Sequence, residues 1–321
     1  MTLSTHTTHT THTTPVDRSL RVDPAFAEAV VWRVLSAADT GMADALAAYR
    51  RRAEPLYELD DPTARDAAFS QLAVSEFERL GLAEPLGHAI SERPAVADRV
   101  RVVLVADARG RADEGITWEP GGAHLGIRID GARFGEPDDL LDWARHALGH
   151  AEDTIDPAFG FRPGWEETAG GRIASGTQAR LHRLWDVTVD SRLAAAGLLG
   201  DASAPQRHFE RLAADLPGVT EDSVDAVFGL LWEGLRPPFG QLLAWAARPR
   251  ELVAAASPGD PGLPRPDRCP LCRFPSDDVV APADAVAALV AVDYPAWRPE
   301  LGLCGRCTDR YHFAGRLGGA A

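Results

Sequence analysis

The sequence has no lysine. All 33 of its basic residues are arginine, against 47 acidic residues, for a formal net charge of −14. An excess of carboxylates on this scale disfavours binding to nucleic acid or an anionic membrane through bulk electrostatics. Alanine, proline, glycine and valine are abundant beside the arginines. Such a bias acts on the whole chain, so single Arg or Ala choices say little about function. No apolar run reaches the length needed to span a bilayer. The opening "MTLSTHTTHTTHTTP" has neither a basic n-region nor an apolar h-region, which excludes a secretory signal there. Residues 1–20 are expected to be a disordered Thr/His-rich tail, with His6, His9 and His12 part of that tail rather than a metal site. The chain is therefore expected to be cytoplasmic. It also lacks a nucleotide-binding glycine loop and any clear Ser-His-Asp arrangement.

What remains is a chain of 321 residues with 45% apolar and 25% charged side chains, enough to bury a sizeable core. From Asp23 to Leu82 the pattern is helical, and two segments open with Asp-Pro, a cap followed by a residue suited to the first helical turn. Three short strands are predicted in "RVRVVLVADARG", "GITWEP" and "AHLGIRIDGARF", where apolar residues alternate or cluster between turn residues. A helix follows in "EPDDLLDWARHALGHAED", and a longer helical pattern runs from near Thr168 to Gly197. Residues 257–268 read as a Pro/Gly linker. The expected fold class is α+β, mostly helical: an α+β domain over 21–256, with a short sheet ahead of the histidine-bearing helix, and a small zinc-binding module over 269–316.

All four cysteines lie beyond that linker, in "CPLC" (Cys269, Cys272) and "CGRC" (Cys304, Cys307). Two thiolates two residues apart grip one ion from a tight turn, and two such turns complete a tetrahedral sulfur shell. Four soft thiolates suit zinc. A module of about fifty residues cannot easily be held by apolar burial alone, so a structural zinc is the expected staple of this zinc-ribbon-like unit. A reducing compartment disfavours disulfides, and no thioredoxin-like context supports a redox dithiol. From Arg265 to Ala321 seven arginines balance seven acidic residues. That is no grip for nucleic acid. Docking to the chain's own larger domain or to a protein partner is expected instead.

The second cluster lies in "LLDWARHALGHAEDTIDPAFGF". His146 and His150, four apart on a helix, aim at one point, and Asp153 continues their stripe. Further on, "HRLWDVTVDSRL" sets Asp186 and Asp190 four apart on another helix. The stretch from Arg99 to Gly197 resembles the core of gluzincin-type, thermolysin-like zinc metallopeptidases. The resemblance implies that His146 and His150 ligate a second zinc, that Asp186 replaces the family's glutamate ligand, and that Asp190 braces a ligating histidine. His182, one turn before Asp186, could assist. Asp156, at the metzincin spacing, and Asp153 are alternative third ligands. A glycine is missing at Asp153, and no methionine follows the motif for a Met-turn, so Asp186 ranks first. The competing reading is that both histidines only pack or cap the helix.

Ala147 occupies the position of the catalytic glutamate in the H-E-x-x-H motif of those peptidases. Alanine cannot take a proton from a metal-bound water, and loss of a positioned base costs roughly 10²–10⁴ in rate. Glu152 is rotated away from the histidine face, while Glu166 and Glu167 are conceivable substitutes. The expected function is a zinc-binding, peptidase-like protein without efficient peptidase activity. The alternatives are an active metallohydrolase using another base, and an interaction scaffold whose only metal is structural.

Overall fold

The structure, a computed structural model, describes residues 19–37, 42–118, 123–168, 171–233, 236–257, 267–276 and 278–318. Most of the expected tail (1–18) and linker (258–266) lie outside the described residues. The fold is α+β and mostly helical with one small four-stranded sheet, as the sequence pattern predicts. The chain divides into two compact units, Met1–Ala151 and Glu152–Ala321. No described helix is long and apolar enough to cross a membrane.

In the first unit, strand β1 (Ser19–Val22) leads into helices α1 (Pro24–Ser36), α2 (Ala43–Ala53), α3 (Pro62–Arg79), α4 (Glu84–Ser91) and α5 (Pro94–Ala97). Strands β2 (Val102–Asp107), β3 (Gly115–Trp118) and β4 (His124–Ile129) follow, then α6 (Pro137–Ile155), which opens in this unit and closes in the second. The sheet order is β1-β2-β4-β3, with β3 antiparallel and the other pairs parallel. Alternation sends Val103 and Val105 of β2, and Leu125, Ile127 and Ile129 of β4, into the core, while Leu104 faces outward. Both Asp-Pro signals act as read: Asp23 accepts from the Phe26 N–H at 2.9 Å and Asp61 from the Thr63 N–H at 2.9 Å. β1 begins at Ser19, inside the expected tail, because Leu20 and Val22 pair in register with Val103 and Val105.

In the second unit, a two-stranded ribbon of β5 (Glu167–Thr168) and β6 (Gly171–Arg172) precedes α7 (Ser175–Ala195), so the long helix starts later than its sequence pattern. It ends in a Schellman-type turn: Gly197 has φ +69° and the Leu198 N–H bonds the Leu193 carbonyl at 2.8 Å. Helices α8 (Ala204–Asp215), α9 (Glu221–Trp232), α10 (Phe239–Ala247) and α11 (Pro249–Ala256) pack with α7 around Leu181, Trp185, Val227, Leu231 and Phe239. The cysteine module adds the hairpin β7 (Asp267–Arg268) and β8 (Pro275–Ser276), then α12 (Asp284–Asp293) and α13 (Gly305–Gly318).

Asp153, in the last turn of α6 and fully buried, is a polar anchor of this unit. Its carboxylate accepts from the Trp185 indole at 2.7 Å, from both terminal nitrogens of Arg192 at 2.7 and 2.6 Å, and from Arg236 at 3.1 and 2.6 Å. Burial alone would raise its pKa, but hydrogen bonds and charge from Arg192, joined by Trp185 and Arg236, hold it below the ordinary carboxylate range. A depressed folded-state pKa stabilises above the unfolded value near 3.9 and loses that contribution as pH falls through the folded value. Asp153→Ala should destabilise the protein by about 3 kcal/mol at neutral pH, since it takes the carboxylate from Arg192 and the Trp185 indole N–H and leaves Arg236 with Asp156. In urea melts the gap to wild type should narrow below about pH 4. A gap unchanged by acid would contradict this account of the anchor.

Candidate metal centres

On α6, one turn of helix separates His146 from His150, and their Nε2 atoms stand 3.1 Å apart with the rings at 69°. Two nitrogens bound at 2.0–2.1 Å to one tetrahedral ion would be about 3.3 Å apart. Asp186 of α7 completes the group: each residue offers a ligand atom within 4.8 Å of the others, and all three side chains are half-buried. The group can hold a metal ion. Nitrogen, nitrogen and carboxylate oxygen form a donor set that zinc accepts, with a fourth position left for water. Ala147, half-buried between the histidines in sequence, brings no acid-base group to it.

The other candidates from the sequence are placed elsewhere in the network. Asp153 is engaged by Arg192, Arg236 and Trp185, and Asp156 pairs with Arg236 at 2.7 Å while capping the turn at Ala158. Neither belongs to the His146–His150–Asp186 group. Asp190 is buried and hydrogen-bonded to His208 at 2.8 Å, a partner that no sequence spacing marks. His182 is exposed and meets the buried Trp165 edge-on at 5.9 Å. Glu167 lies in β5, paired with Arg172, and the Glu166 carbonyl accepts from the Ile173 N–H. Glu152, Glu166 and Glu167 also stand outside the group. Trp143 carries the Arg133 guanidinium over its ring at 5.6 Å.

The four cysteines form the second group, each offering a sulfur within 4.8 Å of the others. All are free thiols, and Cys272 and Cys304 have their sulfurs 3.7 Å apart. The edge of a zinc–sulfur tetrahedron with 2.3 Å bonds is about 3.8 Å. The two pairs are built differently. Cys269 and Cys272 bracket the turn of the β7–β8 hairpin, where the Cys269 N–H bonds the Phe274 carbonyl at 3.0 Å and Arg273 sits at φ +62°. Cys304 and Cys307 stand at the amino end of α13, where the helix dipole favours thiolate. Val286, Val290, Trp297, Leu303 and Tyr311 make the miniature core around them. Gly302, at φ +68° with Val279 and Val280 within 3.2 Å of where a Cβ would stand, can only be glycine there.

Within the second unit the module is also fastened to α7. Asp309, two residues after Cys307, accepts from the Ser175 hydroxyl at 2.7 Å and its N–H at 3.2 Å, capping a helix whose own cap residue, Ala174, has no side chain for the task. Asp278 accepts from the Gly305 N–H at 3.0 Å and thereby steadies the second cysteine pair.

No family model, curated protein or solved structure matches the chain. The chemistry of these two groups is therefore read from their own geometry.

Crowding sets the state of the thiols. Burial pushes Cys269 up, but backbone hydrogen bonds from Cys304, Cys272 and Leu271 outweigh it and bring it to about 7. Burial raises Cys304 to about 11, and burial with the neighbouring thiols raises Cys307 further. At neutral pH Cys304 and Cys307 hold their protons, and a dication must displace them. Zinc added to metal-free protein at pH 7 should release at least about two protons per cysteine site. Calorimetry in buffers of different ionisation enthalpy measures this, and binding without proton release would contradict it.

Proposed function

We propose that the protein binds two zinc ions per chain and is a peptidase-like metal protein without efficient peptidase activity. One zinc is structural, held by Cys269, Cys272, Cys304 and Cys307, and it staples residues 269–316 into a module available to a protein partner. The other is held by His146, His150 and Asp186. The single observation that supports this reading most is the convergence of two imidazole Nε2 atoms at 3.1 Å with a carboxylate in reach. At 3.1 Å one neutral ring can also donate its Nε2–H to the other, so the carboxylate of Asp186 within reach of both nitrogens is what favours a cation over that hydrogen bond.

Bound zinc would supply a polarised water at its open position. The chain's own side chains decide what becomes of that water. Ala147 removes the general base from the motif, and no glutamate joins the ligand group among the described residues. The site is thereby suited to binding a carbonyl or carboxylate ligand without turning it over. The resemblance of Arg99–Gly197 to gluzincin-type peptidases supports the assignment of α6 and α7 as the ligand-bearing helices. The balance of arginine and acidic residues in the cysteine module, with no basic excess, supports a protein rather than a nucleic acid as its partner.

Elemental analysis of protein lacking residues 1–18 should find two zinc ions per chain. The pair His146→Ala and His150→Ala should lower this to one, leaving the cysteine site filled. Unchanged zinc content in that variant would remove the histidine site and favour an interaction scaffold with one structural metal. A broad peptide library should be cut little or not at all by the wild type, and Ala147→Glu should raise cleavage by about 10²-fold. Chelator-sensitive cleavage by the wild type would overturn the reading and favour an active hydrolase with another base.

A further inference from the structure

The cysteine module leaves apolar surface uncovered. Among the described residues, Phe274, Val280, Val292, Leu301 and Phe313 are all more than half exposed, and Leu289 and Tyr294 more than a third. On α12 the exposure is patterned. Val286, Ala287 and Val290 face the module's core, whereas Ala285, Ala288, Leu289 and Val292, spaced i, i+3, i+4 and i+7, face solvent. A helix apolar on both faces is normally covered on both, and this spacing is the one by which helices dock on helices or in grooves.

The charges around it limit what covers it. Between Arg273 and Arg298 the sequence has four acidic residues, Asp277, Asp278, Asp284 and Asp293, and no basic one. Asp284 opens α12 and Asp293 closes it, where the negative end of the helix dipole adds to the carboxylate. A second copy of α12 laid on the stripe, parallel or antiparallel, would bring only carboxylates to its ends. Nucleic acid and anionic lipid are repelled for the same reason.

We propose that the outer face of α12 is a docking surface for a basic amphipathic helix of a partner protein. Its apolar side packs over Ala288, Leu289 and Val292, and its lysines or arginines meet Asp284 and the Asp293 carboxylate, one oxygen of which accepts from the Tyr311 hydroxyl at 2.7 Å. The proposal rests on the reading of the cysteine module as a zinc-held unit that binds protein, and gives that partner its chemistry.

The test uses the full zinc-loaded chain and two synthetic helical peptides of one pattern, Leu/Lys and Leu/Glu, followed by fluorescence anisotropy. The Leu/Lys peptide should bind at least about ten-fold more tightly than the Leu/Glu peptide. The double variant Leu289→Gln, Val292→Gln, which leaves every charge in place, should weaken it at least about ten-fold. Asp284→Asn, on the exposed first turn, should weaken it about two-fold, which secures the result should the double variant melt early. Equal binding of the two peptides, or binding indifferent to the Gln substitutions, would overturn the proposal by reducing the contact to bulk charge or to nothing. A dimer in sedimentation that the double variant converts to monomers would also overturn it, because the face would then belong to a second copy. Zinc content measured on the same samples reports separately on the metal reading.

Discussion

An α-helix turns once in 3.6 residues, so two imidazoles four positions apart must lie over one another on the same face. In α6 this constraint allows the Nε2 atoms of His146 and His150 to meet at 3.1 Å, where one ring can donate to the other or both can face a cation. The carboxylate of Asp186 extends the same logic to a second helix. Everything functional in the first cluster follows from that convergence and from what its neighbours lack. Ala147, on the same helix, brings no acid-base group, so under the proposed reading metal binding and proton transfer are separable in this sequence.

The surroundings show how polar groups are held at low dielectric. Asp153 is buried but saturated by two arginines and an indole, and Asp190 is matched by His208. A carboxylate so fully engaged is a poor metal ligand, since any ion must first displace strong charge-assisted bonds. The cysteine cluster is under the opposite pressure. Its thiols are buried and crowded against one another, which favours the protonated form of Cys304 and Cys307, so a dication bound there must displace protons. Asp309 and Ser175 tie this module to the first turn of α7.

Local signals were the legible part of the sequence. Asp23-Pro24 and Asp61-Pro62 marked helix starts because capping is a matter of neighbouring residues, and the strands around Val103 and Ile127 were readable from alternation. The cysteine pairs and the two-histidine face were readable because knuckle and helix spacings are fixed by backbone geometry. Partnerships across the chain were not legible. Arg236 reaches Asp153 from 83 residues away, and Asp309 caps α7 from 134 residues away. An arginine-only basic complement hides such pairs among many equivalent arginines. Strand β1 was missed because four residues beside a threonine-rich run carry too little pattern to stand out. The differing construction of the two cysteine knuckles, one on a hairpin and one on a helix end, is likewise invisible in two identical C-x-x-C spacings.

The most direct test of the account is a crystal of the zinc-loaded protein measured on both sides of the zinc absorption edge. Two anomalous peaks are predicted, one inside the Cys269–Cys272–Cys304–Cys307 cluster and one within about 2.1 Å of both His146 and His150 Nε2 with an Asp186 oxygen beside it. A single peak at the cysteines, with the imidazoles engaged by protein groups instead, would contradict it.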